Sequence, residues 1–290
     1  MPELPEVETI RRDLEPRITG RAITGFDVLP GAERLLRGVP QRAIRKRLLG
    51  AQISGIGRHG KYLLIELNGH HDAGGPTLVV HLRMTGSLRH RRADAPDDRF
   101  LRARIPLDDG TELRFTDVRK FGTFDLVDDP AEATAKLGPD ATDPAFSADA
   151  FWTGLRGRRA PIKSMLLDQR IVAGIGNIYA DEALFLAHLH PEAPSGSLRP
   201  KERADLHAAI GRVLADGIKN RGASFRDYTD ADGAAGNQQY FVRVFRRTDE
   251  PCDDCGATIR RSVVGGRASH WCPRCQPLRQ RSRTVTSKRP

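Results

Sequence analysis

The first residues of the chain, MPELPEVET, include side chains and a chain terminus that can do chemistry. Pro2 follows the initiator Met1, and Glu3 and Glu6 come soon after it. If Met1 is removed, Pro2 presents a secondary amine, and because an α-amino group has a pKa of about 7.7–8.0, a useful share is nucleophilic near pH 7. The alternative is that Pro2 and Pro5 merely start a helix, where proline is well tolerated. The opening segment alone favours this alternative.

A second reactive group is formed by the four cysteines, which all lie between residues 252 and 275. They form two C-x2-C turns separated by sixteen residues, a spacing typical of zinc ribbons. Four thiolates close a tetrahedron and leave no open position, so we predict one structural Zn²⁺. Two redox pairs are the disfavoured alternative, because such a pair needs a βαβ setting. The predicted ligands are Cys252, Cys255, Cys272 and Cys275.

Between the two cysteine turns lies the run TIRRSVVGGRASHW, residues 258–271. These residues predict two strands joined at Gly265-Gly266, with Arg260, Arg261 and Arg267 on or near the tip of the hairpin. A basic hairpin of this kind indicates nucleic acid as a partner, although zinc ribbons occur in many proteins.

The composition narrows the class of partner. The chain has 290 residues with 47 basic and 37 acidic side chains, giving a net charge of +10. Such a charge favours a polyanion, either nucleic acid or an anionic membrane. No stretch approaches the roughly 18 apolar residues of a membrane span, and no signal-peptide pattern is visible. We therefore expect a cytoplasmic protein.

The glycines of AGIGNIYADEAL do not predict a dinucleotide site. Tyr179 stands at the third glycine position of that fingerprint, and no strand precedes it. We expect no organic cofactor. A glycine-rich turn between helices can instead point backbone N–H groups at phosphate, with Asn177 adding a side-chain donor.

The elements that position these residues can be predicted in outline. Val7, Ile10 and Leu14 have helical spacing and predict an amphipathic helix that ends at Pro16. Closely spaced strand-like runs follow without intervening helices, which favours a β-sandwich or barrel over residues 1–130. The runs are AITGFDVL, AQISGIG, KYLLIELN, TLVVHLRM, LRARIPL and ELRFTDV.

The second half of the chain has a helical pattern, so the predicted fold class is α+β. The run QYFVRVFRR, which leads into the cysteines, predicts a further strand. A polar, glycine-rich stretch inside the helical region predicts a functional loop over 223–239. The predicted segments are a linker at 131–146, a helical domain at 147–240, the zinc finger at 241–277 and a basic disordered tail at 278–290.

Seven motifs together resemble the formamidopyrimidine-DNA glycosylases and span nearly the whole chain in that family's order. They are MPELPEVET at the start, GKYLL at 60–64, HLRMTGSL at 81–88, TDVRKFG at 116–122, VAGIGNIYADEALF at 172–185, SFRDYTDADG at 224–233 and the terminal finger ending CPRCQ. The resemblance implies a monomeric DNA repair enzyme that excises oxidised purines and nicks the strand as a lyase. It also implies a β-sandwich N-domain, a helix–two-turns–helix C-domain with the finger appended, and DNA in the cleft between them.

In this family pattern the N-terminal residues carry the chemistry. Pro2 would attack C1′ of the damaged nucleotide, and the iminium link would acidify the C2′ proton. Glu3 would act as the general acid or base, with Glu6 as a supporting carboxylate. The resemblance makes Lys61 a catalytic-site lysine that contacts DNA phosphate and assists elimination; the alternative is a solvated charge at a strand end. Arg267 would grip the flanking phosphates and assist the second elimination.

Extruding a base leaves a hole in the duplex that side chains must fill. Met84 would fill the vacated stack, Arg119 would hydrogen-bond the orphaned cytosine and Phe121 would wedge beside it. The alternative for Met84 and Phe121 is burial in the sandwich core. Arg159 and Lys163 match DNA-contact positions of the family, with a solvated helix face as their alternative. The loop 223–239 would close over the flipped base.

The sequence departs from the family pattern near Phe100, where the family often carries a DNA-contact histidine. That role is not carried over, although Arg99 and Arg102 are candidate substitutes. Two rival functions stay open: an endonuclease VIII type that prefers oxidised pyrimidines, and a damaged-DNA binding protein without catalysis. The opening PELPE and the Met84 hairpin favour an enzyme for oxidised purines over the endonuclease VIII type. The presence of Pro2, Glu3 and Lys61 together argues against the non-catalytic rival, because a protein that only binds DNA would not need all three.

Overall fold

The computed structural model describes residues 1–68 and 74–278, so residues 279–290 of the predicted tail lie outside the described part. The chain groups into two compact units. The first comprises Met1–Phe146, Asp168–Gly176 and Gly211–Val242, and the second comprises Ser147–Leu167, Asn177–Ile210 and the chain from Arg243 onward. Two segments from the second half of the sequence therefore belong to the first unit, which the linear boundaries predicted above do not anticipate.

Helix α1 spans Leu4–Ile18 and packs one face against the core of the first unit. Val7, Leu14 and Ile18 are fully buried, as the helical spacing predicts. The helix does not end at Pro16, which lies in its last turn. The burial of Ile18 accounts for this continuation, because it anchors the final turn to the core. Thr19 then closes the helix by donating its N–H to the carbonyl of Glu15 at 3.2 Å.

Two four-stranded antiparallel sheets form the β-sandwich of the first unit. One sheet has the strand order β1-β6-β7-β5 and the other β2-β3-β4-β8. Apolar side chains of both sheets and of α1 share one hydrophobic core. The strands are β1 Asp27–Val28, β2 Ile53–His59, β3 Tyr62–Asn68, β4 Gly74–His81, β5 Gly86–Arg92, β6 Leu101–Pro106, β7 Thr111–Asp117 and β8 Thr123–Val127. The sequence runs predicted six of these regions and missed β5 and β8.

The strand register brings three turns to one end of the sandwich. Tyr62 of β3 pairs with His81 of β4, and His81 pairs with Thr123 of β8. In the other sheet Gly86 of β5 pairs with Asp117 of β7. The chain crosses between the sheets twice here, from β4 to β5 and from β7 to β8. The turns at this end are 60–61, 82–85 and 118–122.

Seven α-helices are described in the two ranges above, and α6 and α7 agree best with the helical pattern. The helices after α1 are α2 Gln41–Leu48, α3 Pro130–Thr134, α4 Ala148–Leu155, α5 Ile162–Leu167, α6 Asn177–Leu186 and α7 Pro200–Lys219. None of the described helices is long and apolar enough to cross a membrane.

The cysteine region folds as predicted, with one correction to the hairpin. Strands β9 (Arg260–Val264) and β10 (Arg267–Trp271) pair across Gly265-Gly266, whose φ angles of 57° and 74° suit a tight hairpin turn. Arg267 pairs with Val264 beside this turn, whereas Arg260 pairs with Trp271 at the opposite end. Of the three arginines, only Arg267 lies at the tip.

The strand predicted for QYFVRVFRR does not form. A short 3-10 helix at Gln238–Tyr240 is followed by turns. The backbone N–H groups of residues 243–245 donate to the buried carboxylate of Glu182 at 2.8, 3.0 and 2.8 Å. Because a side chain satisfies these donors, the segment needs no neighbouring strand.

Candidate active site

The N-terminus lies against the core of the first unit. Pro2 and Glu3 are buried, whereas Met1 is exposed. Glu6, on the first turn of α1, accepts the N–H of Glu3 at 2.7 Å and the N–H of Ala223 at 2.8 Å. The first bond is the reach-back contact of a capping box. Glu6 therefore connects the chain terminus to the start of the loop 223–239, which suits a supporting carboxylate.

A glycine-rich segment, residues 174–176, covers the start of α1. The N–H of Leu4 donates to the carbonyl of Gly174 at 3.1 Å. A Cβ atom at Gly176 would lie 2.2 Å from the Cδ of Glu3, far inside van der Waals contact. Only glycine therefore lets this segment approach the Glu3 carboxylate so closely.

Lys61 reaches the same segment from the turn between β2 and β3. Its side chain is buried, and Nζ donates to the carbonyl oxygen of Ile175 at 2.9 Å. The buried side chain excludes the alternative of a solvated charge at a strand end. Glu3 and Lys61, far apart in sequence, thus both contact residues 174–176.

Asp140 fixes the turn that carries Lys61. Its carboxylate accepts the N–H of Gly60 at 2.6 Å and a two-pronged contact from the Arg58 guanidinium. Burial raises the pKa of the Asp140 carboxyl, but hydrogen bonds and charge from Arg58 outweigh it, so the pKa lies below its usual range. Sequence reasoning did not single out Asp140, because the prediction treated 131–146 as a linker.

The three predicted void-filling residues lie on two neighbouring turns at one end of the sandwich. Met84 is 39% exposed and Phe121 is 45% exposed, so burial in the core is excluded for both. Arg119 is exposed too, and its guanidinium carbon lies 4.6 Å from the centre of the Phe121 ring. An aliphatic side chain, a planar cation and an aromatic ring thus point to solvent from one end of the first unit.

Phe100 directly precedes strand β6, which lies next to β7 in the first sheet. It has a left-handed φ of 64°, and the guanidinium carbons of Arg99 and Arg102 lie 4.6 and 5.9 Å from its ring centre. The Nε of Arg102 donates to the carbonyl of Asp117 at 2.8 Å. Arg99 and Arg102 therefore place two cations around the ring of Phe100.

The loop 223–239 contacts both α1 and β5. The phenol of Tyr228 is buried and donates to the carbonyl of Arg221 at 3.1 Å, and the N–H of His90 donates to the carbonyl of Ala231 at 3.0 Å. Burial of the phenol is the main reason that the pKa of Tyr228 lies well above its usual value, and the negative charge of the nearby Glu6 raises it further. The phenol therefore stays a neutral hydrogen-bond donor.

Lys163, in the second unit, does not lie where the prediction expects it. Its side chain is 0% exposed, and Nζ contacts the Asp181 carboxylate at 2.7 Å and the carbonyl of Ala268 at 2.6 Å. An ammonium buried in this way is not available to a phosphate. The structure thus replaces the predicted direct contact with a supporting role next to Arg267.

The other predicted DNA contacts of the second unit differ in their accessibility. Arg159 and Arg267 are exposed. Asn177 begins α6, and its Nδ2 donates to the carbonyl of Ala268 at 3.0 Å. Its side-chain donor is therefore partly committed to the hairpin, while the helix start remains a candidate for backbone contacts.

The four cysteines converge as a metal site requires. Their sulfur atoms all lie within 4.8 Å of one another, with Cys252 to Cys275 at 3.8 Å and Cys255 to Cys272 at 3.4 Å. A tetrahedral ion with Zn–S bonds of about 2.3 Å separates its sulfurs by about 3.8 Å. The donor set therefore fits one structural Zn²⁺, and four thiolates leave no position for a substrate.

Two adjacent acids on α6, which sequence reasoning missed, attach the finger to the helices. Asp181 accepts the N–H and Nδ1 of His270, both at 3.0 Å, and the hydroxyl of Ser269 at 3.2 Å. Glu182 holds the turn before the first cysteine, as described above. A pair of acids inside the otherwise apolar run IYADEALF was the signal that could have identified them, because buried carboxylates need partners.

Three sequence models of known families match the chain. A formamidopyrimidine-DNA glycosylase N-terminal domain matches residues 1–124, a formamidopyrimidine-DNA glycosylase H2TH domain matches 137–229, and a zinc finger found in FPG and IleRS matches 249–278. Curated relatives of this chain carry the name formamidopyrimidine-DNA glycosylase, and two of them serve as examples. The one from Desulforamulus reducens is 44% identical over 95% of this chain and 99% of its own length, and the one from Moorella thermoacetica is 46% identical over 90% and 94%.

Solved structures of the Lactococcus lactis Fpg protein are similar along almost the whole chain. A point mutant of that protein bound to DNA containing Fapy-dG has a TM-score of 0.86 at 38% identity, covering 95% of this chain and 100% of that one. A complex with abasic-site DNA has a TM-score of 0.85 at 38% identity, covering 95% and 99%. A wild-type complex with DNA containing an oxidised pyrimidine has a TM-score of 0.85 at 37% identity, covering 95% and 100%.

Proposed function

The chain belongs to the formamidopyrimidine-DNA glycosylase family, and we propose that Pro2 is the nucleophile of its chemistry. It is a base excision repair enzyme, a DNA glycosylase and AP lyase that acts on oxidised purines in duplex DNA and carries one structural zinc. We assign the roles of individual residues from the family resemblance, and their burial, exposure and contacts support these assignments. Because its substrate is DNA, we propose that the enzyme acts in the cytoplasm, associated with the nucleoid.

The proposed reaction begins once Met1 has been removed. The nitrogen of Pro2 forms a bond to C1′ as the bond from C1′ to the damaged base breaks, and the base leaves with a proton. The bond between C1′ and the ring oxygen O4′ then breaks, O4′ takes up a proton, and C1′ becomes doubly bonded to the proline nitrogen as an iminium. This iminium acidifies the C2′ proton, and removal of that proton expels the 3′ phosphate. Glu3 acts as the general acid or base in these transfers. A terminal secondary amine suits this task because its ordinary pKa already lies near neutrality.

The single observation that carries this proposal is the convergence on residues 174–176. Glu3 packs against Gly176 and Lys61 donates to Ile175, so a carboxylate and an ammonium lie beside the N-terminal segment in a buried setting. Burial strengthens the interaction of both charged groups with a reacting nucleotide. Lys61 is assigned to the phosphate contact and to assistance in elimination.

The residues at the end of the sandwich are assigned to the duplex. Met84 fills the vacated stack, Phe121 wedges beside it and Arg119 hydrogen-bonds the orphaned cytosine. Their exposure supports these roles, because it leaves the two apolar side chains and the guanidinium accessible to a bound duplex. In the second unit, the exposed Arg159 and Arg267 are assigned to phosphates, and Arg267 also to the second elimination.

The test is borohydride trapping on a duplex with one 8-oxoguanine opposite cytosine, followed by mass spectrometry of the adduct. We expect a covalent link on the peptide that begins at Pro2. A variant with an uncleavable residue before Pro2 is the control: it should bind the duplex and give no link. A link on Lys61 or another lysine, with Pro2 unmodified, would overturn the assignment.

A second substrate class is favoured by one observation, since a similar protein was solved with DNA containing an oxidised pyrimidine. The same trapping experiment on such a duplex measures this activity. A faster reaction on the pyrimidine duplex would move the enzyme to the endonuclease VIII type of specificity. Tight binding without a link on either duplex, in chains that lack Met1, would support the non-catalytic alternative.

A further inference from the structure

Asp117 is a buried carboxylate that has no part in the chemistry above. It ends β7, is 1% exposed, and accepts four hydrogen bonds. One oxygen, Oδ1, accepts the N–H of Arg119 at 3.0 Å and the hydroxyl of Thr85. The other, Oδ2, accepts the N–H groups of Phe121 and Gly122, both at 2.8 Å. All four donors belong to the two turns that carry the proposed void-filling side chains.

The two turns are also joined directly. The N–H of Arg119 lies 3.1 Å from the hydroxyl oxygen of Thr85, the neighbour of Met84. Gly86, which follows the first turn, and Gly122, which ends the second, both pack against the ring of Phe115. A Cβ atom at these positions would lie 2.8 and 2.3 Å from the Cζ of Phe115. One carboxylate and one aromatic ring therefore hold both turns.

The backbone of both turns is strained next to the side chains in question. Arg83, before Met84, has φ of 56°, and Lys120, between Arg119 and Phe121, has φ of 57°. Left-handed conformations of residues other than glycine cost about 1–3 kcal/mol and persist only where the surroundings enforce them. In the second turn, residues 118–122, the hydrogen bonds to Asp117 hold the backbone in this conformation.

We propose that Asp117 is a positioning residue that holds Met84, Arg119 and Phe121 as one preformed unit and so sets the preference for the base opposite the lesion. The inference rests on the proposed roles of these three residues. If the backbone of Arg119 is fixed, its guanidinium donors meet the acceptors of cytosine in one geometry. A base with a different acceptor pattern then leaves those donors unpaired, which penalises it.

The substitution Asp117→Asn tests this role because its effect is directional. The amide has one oxygen and one NH₂ group. If the amide oxygen faces Phe121 and Gly122, it still accepts both of their N–H groups. The NH₂ group then faces the N–H of Arg119, a second donor, so this hydrogen bond is lost. The bond to Thr85 can be kept, because its hydroxyl can rotate and accept from the NH₂ group. The reverse orientation would oppose two N–H groups and is less favourable. The backbone of Arg119 therefore loses a hydrogen bond while the rest of the turn keeps its packing.

The experiment measures single-turnover excision of 8-oxoguanine opposite cytosine and opposite adenine. We expect Asp117→Asn to reduce the ratio of the two rates about tenfold, the equivalent of one hydrogen bond of about 1.4 kcal/mol. Borohydride trapping on abasic-site DNA should change much less. A purely structural role would lower both excision rates equally and leave the ratio unchanged.

Variants at Thr85 provide a second route in case Asp117→Asn folds poorly. Thr85→Val removes the hydroxyl and should also reduce the ratio, whereas Thr85→Ser keeps the hydroxyl and should restore it. Asp94→Asn, at an exposed carboxylate paired with Arg92, is the matched control and should leave the ratio at the wild-type value.

Comparison with Arg119→Ala separates the inference from the proposed function. If Arg119→Ala and Asp117→Asn both reduce the ratio and the double variant is no worse than Arg119→Ala, the positioning role holds. If only Arg119→Ala reduces it, the inference fails and the role of Arg119 stands. If Arg119→Ala leaves the ratio unchanged, the assignment of Arg119 fails and the inference fails with it.

Discussion

Lys163 and Arg159 differ in the property that decides what a cation can do, namely its access to solvent. Lys163 is sealed in an ion pair with Asp181, whereas Arg159 is exposed. We expect Lys163→Met to destabilise the protein by about 3–5 kcal/mol, because it leaves the Asp181 carboxylate buried without its cation. Urea unfolding measures this change in stability.

Arg159→Met is the matched control for that substitution. It should leave the free energy of unfolding nearly unchanged, yet weaken DNA binding and reduce the slope of log affinity against log salt by the equivalent of about one phosphate. A stable Lys163→Met variant whose salt slope falls in the same way would show that Lys163 contacts DNA after all.

His81 gives a prediction about pH. Burial, together with the positive charges of Arg83 and Lys61, lowers the pKa of His81 to about 3. Its neutral Nδ1 accepts the N–H of Arg83 at 2.9 Å, which holds the turn before Met84. Between pH 3 and the unfolded pKa of about 6.5, only the unfolded chain binds the proton. His81 therefore contributes its full stability above pH 6.5, and the contribution falls by up to about 1.4 kcal/mol per pH unit below that.

The measurement for His81 compares wild type with His81→Gln in urea at pH 8, 6 and 4.5. The destabilisation caused by the substitution should be largest at pH 8 and shrink towards pH 4.5, because the glutamine does not titrate. A difference that stays constant over this range would mean that His81 keeps an ordinary pKa in the folded state.

At the scale of elements, the segment 174–176 matters because it approaches α1 so closely. Gly176→Ala places a Cβ atom on the Glu3 carboxylate, a flexible side chain that can move aside. We expect a folded protein whose excision rate falls about a hundredfold or more, the usual effect of removing a general acid or base. DNA binding should change little, and single-turnover kinetics with a binding titration separates the two effects.

Gly211→Ala is the control for this substitution, because a Cβ atom there meets nothing within 4 Å inside helix α7. It should keep full activity and gain stability of up to about 1 kcal/mol from helix propensity. Equal reductions of activity in both variants would attribute the effect to glycine replacement in general.

Zinc removal tests the contribution of the zinc-finger hairpin, which carries Arg267, to DNA binding. A strong chelator should release one zinc ion per chain and unfold the finger, because no bond then joins the two C-x2-C turns and the hydrophobic cluster of the finger is small. DNA affinity should fall and recover when zinc is restored. Retention of affinity in the zinc-free protein would show that the finger contributes little to binding.

The sequence predicted those elements whose signal is local. The cysteine spacing and the Gly265-Gly266 turn were sufficient for the finger, and the apolar spacing was sufficient for α1. The strand predicted for QYFVRVFRR was wrong because the backbone N–H groups of this segment bind the side chain of Glu182. That residue lies 61 positions before the first of these N–H groups in the sequence. The role of Asp117 could not be predicted for the same reason, because a carboxylate that accepts backbone N–H groups produces no spacing pattern in the sequence. Lys163 was misplaced because lysine is rarely fully buried.

At the scale of the whole molecule, the net charge of +10 is distributed unevenly in a way that matters for DNA binding. Many arginines of the first unit are already paired with carboxylates; Arg58, Arg104 and Arg114 are examples. Paired cations attract a distant polyanion less than free ones do. By contrast, residues 279–290 contain five basic and no acidic side chains, half of the net charge of the chain.

Deletion of residues 279–290 therefore tests how much of the affinity for DNA depends on charge alone. We expect the truncated chain to bind undamaged duplex more weakly and with a smaller salt slope, by about 0.9 for each phosphate that these cations neutralise. Borohydride trapping on 8-oxoguanine DNA at low salt should be unchanged, because every residue assigned to the chemistry lies before position 279. An unchanged salt slope would assign the electrostatic affinity to the exposed cations of the folded units, with Arg159 and Arg267 the first to examine. Failure of trapping at low salt would instead mean that the tail contributes to the chemical steps, and the assignment of those steps to the folded units would have to be revised.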